Sequence, residues 1–136
     1  IKSQACVIAN RETIINEKIK LNQCKLFLER IEAYLRSNKY FTLTANMTGE
    51  NPEQIASIIS KGNVNDGLKG PTISKVYNTS SPDLYAVTMI INKDDLMGTV
   101  SSMRKIGAKT ISVYKLDYLF DWESDSIKTL LEKSET

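Results

Sequence analysis

Four short stretches of this chain alternate apolar residues with small polar ones, and the polar members are hydroxyls and one amide instead of charges. Thr42, Thr44 and Asn46 alternate with Phe41 and Leu43, Thr72 and Ser74 flank Ile73, Thr88 interrupts an apolar run, and Thr110 and Ser112 alternate with Ile111 and Val113. Successive side chains of a strand point to opposite faces, so these stretches require a sheet with one apolar face and one mildly polar face. A face turned only to water ordinarily carries Lys and Glu. Hydroxyls and an amide suit a surface covered by another subunit, or one that offers hydrogen bonds to a small ligand. The competing reading is a plain β-surface, because Thr favours strands on its own account.

Helical signals separate the stretches. Asn51 reads as an N-cap with Pro52 in the first turn and Gln54 three residues beyond it, ahead of a buried stripe of Ile55, Ile58 and Ile59 that ends at Lys61 and a left-handed Gly62. Asn92 caps a second helix with Asp94 and Asp95 in its first turn; Leu96, Val100, Met103 and Ile106 form its stripe, and Gly107 stops it. Strands are expected at residues 41–47, 72–77, 84–91 and 109–116, with a loop at 63–70 and a turn at 78–83 making the middle two a hairpin. Strand, helix, strand, strand, helix, strand with right-handed crossovers is the ferredoxin-like βαββαβ arrangement. It is an α+β fold with a four-stranded antiparallel sheet and both helices on one face.

Upstream, residues 3–10 are an apolar run of strand length, expected to join a sheet that lies mostly elsewhere. A long helix over 16–38 follows, with Cys24, Leu28, Ile31 and Leu35 as its apolar stripe. Helical spacing gives way to alternation near Tyr40, which divides the chain into 1–39 and 40–136, and a short helix over 124–133 closes it. The start at Ile1, without Met or a signal-like segment, is expected of a piece of something longer.

The composition removes several chemistries. With no histidine, Ser-His-Asp and Cys-His catalysis and most zinc sites are out. Cys6 and Cys24 have no metal or redox spacing and are expected reduced, in apolar surroundings, as in the cytoplasm or an organelle. A net charge of +2 argues for no nucleic acid partner, and no apolar run is long enough to cross a membrane. RNA-binding sheets of this topology stack bases on aromatics, for which only Tyr85 and Tyr114 offer themselves. Asp121, Glu123 and Asp125 lack the spacing of a calcium loop, and Gly62, Gly67 and Gly70 lack that of a phosphate loop. An acylphosphatase-like anion site would need an arginine in a loop that Arg11, Arg30, Arg36 and Arg104 do not supply. No catalytic residue set emerges.

One segment reads equally as a binding element and as a plain loop-to-strand junction that uses Pro for rigidity. Leu68-Lys69-Gly70-Pro71 enters the second strand through a stiff Gly-Pro junction that orients Thr72, and the alternation puts Thr72 on the face of Asn46 and Thr110. These groups together suit the ammonium, carboxylate or ring nitrogens of an amino acid.

Thr-Leu-Thr-Ala-Asn-Met-Thr-Gly at 42–49, Gly-Leu-Lys-Gly-Pro-Thr-Ile-Ser-Lys-Val-Tyr at 67–77, Leu-Tyr-Ala-Val-Thr-Met-Ile-Ile at 84–91 and Met-Arg-Lys-Ile-Gly-Ala-Lys-Thr-Ile-Ser-Val at 103–113 together resemble the C-terminal regulatory domain of long-form ATP phosphoribosyltransferase, in its plant-like branch. Residues 3–10 and the following helix resemble the end of that family's catalytic part and its linker. The resemblance implies a ferredoxin-like domain that packs through its sheet in a hexamer and binds L-histidine between subunits as feedback inhibitor. It implies ligand contacts at Asn46, Leu68, Thr72, Met89, Ile90 and Thr110, with Ser74 as a weaker addition. It further implies that the substrate loops, and the magnesium that accompanies the phosphoribosyl substrate, belong upstream, with no cofactor in this chain. The expected location is the cytoplasm, or the plastid for a plant parent. Two departures matter: Asn46 stands where many members have Asp, which replaces an ion pair by an amide, and Lys75 stands where the family often has Pro. The alternative is a structural oligomerisation domain without ligand.

Overall fold

The computed structural model describes residues 1–135, in which β1 (Tyr40–Thr48) and β3 (Leu84–Asn92) pair antiparallel along their full length, from Tyr40 opposite Asn92 to Thr48 opposite Leu84. The short β2 (Thr72–Lys75) joins the outer side of β3, and β4 (Lys109–Lys115) joins the outer side of β1, also antiparallel. The order β2-β3-β1-β4 is that of the expected ferredoxin-like sheet.

The apolar face forms by alternation. Leu43, Ala45 and Met47 of β1 and Tyr85, Val87, Met89 and Ile91 of β3 are buried, and Ile55 and Ile59 of α3 (Pro52–Lys61) and Val100 and Met103 of α4 (Leu96–Lys105) close over them. Both helices therefore lie on one face. The start of α3 follows its local signal: Asn51 Oδ1 accepts the amide of Gln54 at 2.8 Å, while Gln54 Oε1 accepts the amide of Glu50 at 2.7 Å. The helix ends at Lys61 with Gly62 as its C-cap, as expected, but the cap's conformation differs. Gly62 is right-handed at φ −75°, and Asn63 carries the positive φ of 50°. Gly62 also serves packing, since a Cβ there would come 2.5 Å from Cγ2 of Ile106.

Asn92 caps not an α-helix directly but a 3-10 turn, Lys93–Asp95, accepting the Asp94 amide at 3.0 Å before α4 begins at Leu96. Asp95 accepts a hydrogen bond from Asn65 Nδ2 at 3.0 Å, so this acid has a structural partner.

The chain folds as two compact units, Ser37–Asp117 and a second built from Ile1–Arg36 with residues 118–135. Residues 118–135 thus group with the amino-terminal helices, whereas the sequence leads one to expect a domain over 40–136. In that unit the expected single helix is two, α1 (Arg11–Asn16) and α2 (Lys18–Ser37), interrupted at Glu17, where ψ is 93°. Residues 3–10 form no strand, because a strand needs a neighbour and every strand among the described residues pairs within the one sheet. Cys6 in that stretch is exposed, contrary to the apolar surroundings expected, while Cys24 is half-buried; both are free thiols. Of the expected α2 stripe, Cys24, Leu28 and Ile31 are half-buried and Leu35 is exposed.

The tail is tied to α2 by polar groups the helical pattern did not reveal. The Leu119 amide donates to the Ala33 carbonyl at 3.0 Å, and Arg36 Nη1 donates to the Leu119 carbonyl at 3.1 Å. Glu32 pairs with Arg36 at 3.0 Å, accepts the hydroxyl of Ser124, and accepts the Asp125 amide at 3.3 Å at the start of α5 (Asp125–Glu135). Burial alone would raise the Glu32 pKa, but the hydrogen bonds from Ser124, Ser126 and Asp125 outweigh it and hold the carboxyl below its ordinary range.

A carboxyl lowered in the folded state stabilises fully above its unfolded pKa, and that contribution is lost as pH falls through the folded value. Acid titration followed by helical circular dichroism is therefore expected to show loss of α5 structure setting in below about pH 4.3. Glu32→Gln should remove that acid dependence and lower stability at neutral pH by about 1 kcal/mol, the usual worth of a helix cap or charged hydrogen bond. A second expectation concerns Gly67, whose φ is 68° and whose Cβ, if present, would sit 2.2 Å from the Ile90 carbonyl oxygen. Gly67→Ala should cost about 1–3 kcal/mol in denaturant unfolding by straining or displacing the loop.

Candidate ligand-binding face

The sheet face opposite the helices is open, and the pairing register sets its side chains out in rows. Thr72 opposes Thr88, Thr88 opposes Thr44 and Thr44 opposes Ser112, so one line of hydroxyls crosses all four strands. At its centre the Thr44 and Thr88 oxygens are hydrogen-bonded to each other at 3.0 Å. On one side lies the row Ile90, Thr42, Tyr114, and on the other the row Ser74, Ala86, Asn46. Among the described residues, the polar side-chain atoms of Asn46, Thr72, Ser74, Thr110 and Ser112 make no hydrogen bond, so they are available.

Two segments beside this face hold the backbone in unusual conformations. The first is the loop before β2. Its Gly67 lies flat against β3, which lets the Leu68 amide donate to the Ile90 carbonyl at 2.8 Å. Asn65 Oδ1 supports the bend by accepting the Gly67 amide at 3.0 Å. Lys69 and Gly70 are both left-handed, at φ 62° and 82°, immediately before Pro71. This loop brings Leu68, Ile90 and Thr72 together at the β2 edge.

The second is a bulge in β4. Between the pairs Thr44–Ser112 and Asn46–Lys109, β1 contributes only Ala45 whereas β4 contributes Thr110 and Ile111. Thr110 has a φ of 49°, a left-handed conformation that a β-branched residue adopts at a cost of about 1–3 kcal/mol. Simple alternation puts Thr110 on the open face with Asn46 and Thr72, and an unbroken register would set it opposite Asn46. The extra residue gives that place to Lys109, and Thr110 sits exposed in the bulge itself.

Not every candidate lies on the open face. Met89 is 2% exposed and belongs to the apolar core, so only its backbone is within reach of a ligand on the other side. Tyr85 is likewise buried on the core face, its hydroxyl donating to the Glu50 carbonyl at 3.4 Å, whereas Tyr114 stands on the open face. The remaining candidates fall into two groups. Leu68, Thr72, Ile90 and Ser74 occupy the β2 side, and Asn46 and Thr110 the β4 side. β2 and β4 are separated by three strand spacings, about 14 Å, more than one amino acid spans. Thr72 and Thr110 of one chain therefore cannot grip the same small ligand.

Among the described residues no cluster of acids and cysteines is arranged to hold a metal ion, and Asp121 is turned to its neighbour, accepting the Trp122 amide at 2.8 Å. A hollow of about 250 Å³ in the other unit, among Ile8, Ile14, Cys24, Leu28 and Leu130, is predominantly apolar and was not foreseen from the sequence. No helix among the described residues is long and apolar enough to cross a membrane.

Residues 37–118 match the family described as HisG, C-terminal domain, a span that covers the whole sheet and both helices packed on it. Among curated proteins, ATP phosphoribosyltransferase 1, chloroplastic, of Arabidopsis thaliana is 36% identical over 125 residues, which is 89% of this chain and 30% of that protein. ATP phosphoribosyltransferase 2, chloroplastic, of the same plant is 33% identical over 135 residues, 96% of this chain and 33% of that protein. An ATP phosphoribosyltransferase of Nitrobacter hamburgensis is 28% identical over 124 residues, 91% of this chain and 35% of that protein. The chain thus spans about a third of the length of the relatives it matches. With its sheet order, its Gly-Pro loop and a family match across residues 37–118, the chain belongs to the HisG C-terminal domain family of ATP phosphoribosyltransferases.

Proposed function

We propose that this chain is the feedback module of an ATP phosphoribosyltransferase, binding L-histidine where subunits meet and supporting assembly of a hexamer. The observation that carries this reading is that the available hydroxyls of β2 (Thr72, Ser74) and of β4 (Thr110, Ser112) lie three strand spacings, about 14 Å, apart on one open face. Half a pocket on each side becomes a whole pocket when a second copy brings its β2 side against the β4 side of the first. Low formal charge on that face suits burial against a protein surface, since hydroxyls cost little to desolvate once hydrogen-bonded. The strained Thr110 and the paired left-handed residues Lys69 and Gly70 also support it, because such conformations collect at ligand sites.

Regulation follows if histidine binds the inhibited arrangement better than the active one, for which a coupling of about 1–3 kcal/mol suffices. Phosphoribosyl transfer itself, with the magnesium that accompanies its substrate, belongs on this reading to the two thirds of the relatives' length that the chain does not span. The names of the plant relatives support a plastid location for a plant parent, with the cytoplasm as the bacterial counterpart. Both compartments keep thiols such as Cys6 and Cys24 reduced. The mutual Thr44–Thr88 hydrogen bond favours a second reading, a pure assembly surface, because those central hydroxyls are satisfied without any ligand.

Calorimetry with millimolar L-histidine, on a sample shown by light scattering to be oligomeric, separates the two. Saturable heat is expected, and Thr72→Val should weaken binding about tenfold, the worth of one or two hydrogen bonds, while leaving the oligomer intact. An oligomer that takes up no histidine would leave the assembly reading in its place.

A further inference from the structure

The bulge in β4 has a chemical effect on the open face. Without the extra residue, Thr110 would stand opposite Asn46, and Lys109 would fall opposite Met47, on the core side. With it, Lys109 is the residue opposite Asn46, so the two side chains share the open face as neighbours. The strand residues that alternate onto this face are Tyr40, Thr42, Thr44, Asn46 and Thr48 of β1, Thr72 and Ser74 of β2, the even-numbered residues 84–92 of β3, and Ser112 and Tyr114 of β4. None is an acidic or basic residue. Lys109 thus supplies the one formal charge that the paired strands place there, and among the described residues it forms no ion pair. The left-handed Thr110 next to it marks the backbone strain that the bulge requires.

Resting on the histidine reading above, we propose that Lys109 and Asn46 form the carboxylate subsite of the effector pocket, so that the amino acid enters with its α-carboxylate toward β4. A lone ammonium ion on an otherwise neutral face attracts an anion, and it gains most when the neighbouring surface is covered and water is displaced. The Asn46 amide suits the same end of the ligand, since its N–H groups donate to a carboxylate that an aspartate at that position would repel. The ammonium and imidazole ends are then left to the hydroxyls and carbonyls of the β2 side of the neighbouring copy, where the β2 residues on the face, Thr72 and Ser74, carry no charge. Lys109 thereby selects amino acids over the corresponding amines and amino alcohols.

The experiment compares L-histidine with L-histidinol, in which an alcohol replaces the carboxylate, by calorimetry on the oligomeric full chain and on Lys109→Gln and Lys109→Arg. The wild type is expected to prefer histidine, and Lys109→Gln to lose about tenfold in histidine affinity, as for one charge-assisted hydrogen bond, with histidinol affinity unchanged. Lys109→Arg should keep most of the preference. Equal histidine affinity in wild type and Lys109→Gln, or equal losses for both ligands, would overturn the carboxylate assignment and leave the effector reading standing. A wild-type oligomer that binds neither ligand would overturn both. Lys109 is exposed, so all three proteins should unfold at the same temperature; a lowered midpoint in Lys109→Gln would assign the residue to the fold and count against the proposal.

Discussion

The nine-residue antiparallel pairing of β1 with β3 is the constraint from which the rest of the Ser37–Asp117 unit follows. A slip of one residue in that register would turn Leu43, Ala45 and Met47 outward and drive Thr42, Thr44 and Asn46 into the core. Seven side chains of these two strands are buried on the helix side, so the register is held by the whole apolar face and not by any single contact. The same register aligns Thr88 with Thr44, and through β2 and β4 it extends to Thr72 and Ser112. Core and candidate site are two sides of one pairing.

Much of this was legible in the sequence because the signals are local. Alternation in 41–47 and 84–91 identified both central strands, and the Asn51-Pro52-Glu53-Gln54 start marked α3, since a cap needs only residues three positions apart. What stayed hidden depends on partners distant in the chain. The bulge at Thr110 exists only relative to β1, and it moved a charge to the face where alternation had put a hydroxyl. Gly62 does terminate α3, but right-handed, and it also leaves room for Ile106, forty-four positions on. Met89, a candidate by resemblance, was already marked as a core residue by its own parity with Val87 and Ile91. Nothing near Glu32 in the sequence announces that Ser124 will come to it.

The candidate site is unusual in how little charge it uses. Its candidate recognition groups are hydroxyls, one amide and a single lysine. Such groups discriminate by geometry, because each hydroxyl can donate or accept and the surrounding structure must fix which. Rigid placement is therefore more important here than attraction. Gly67 against Ile90 and the Asn65 side chain beneath the Gly67 amide supply that rigidity on one side, and the bulge supplies it on the other.

The margins of the sheet carry a further meaning. β2 has only four residues and ends in Lys75, and β4 is kinked by its extra residue and flanked by Lys109 and Lys115. Neither border offers the long, flat, uncharged ladder of unpaired amides that templates runaway fibre growth. Borders of this kind close the route by which identical sheets could stack end on end without limit, so that any association between copies of this chain is kept finite.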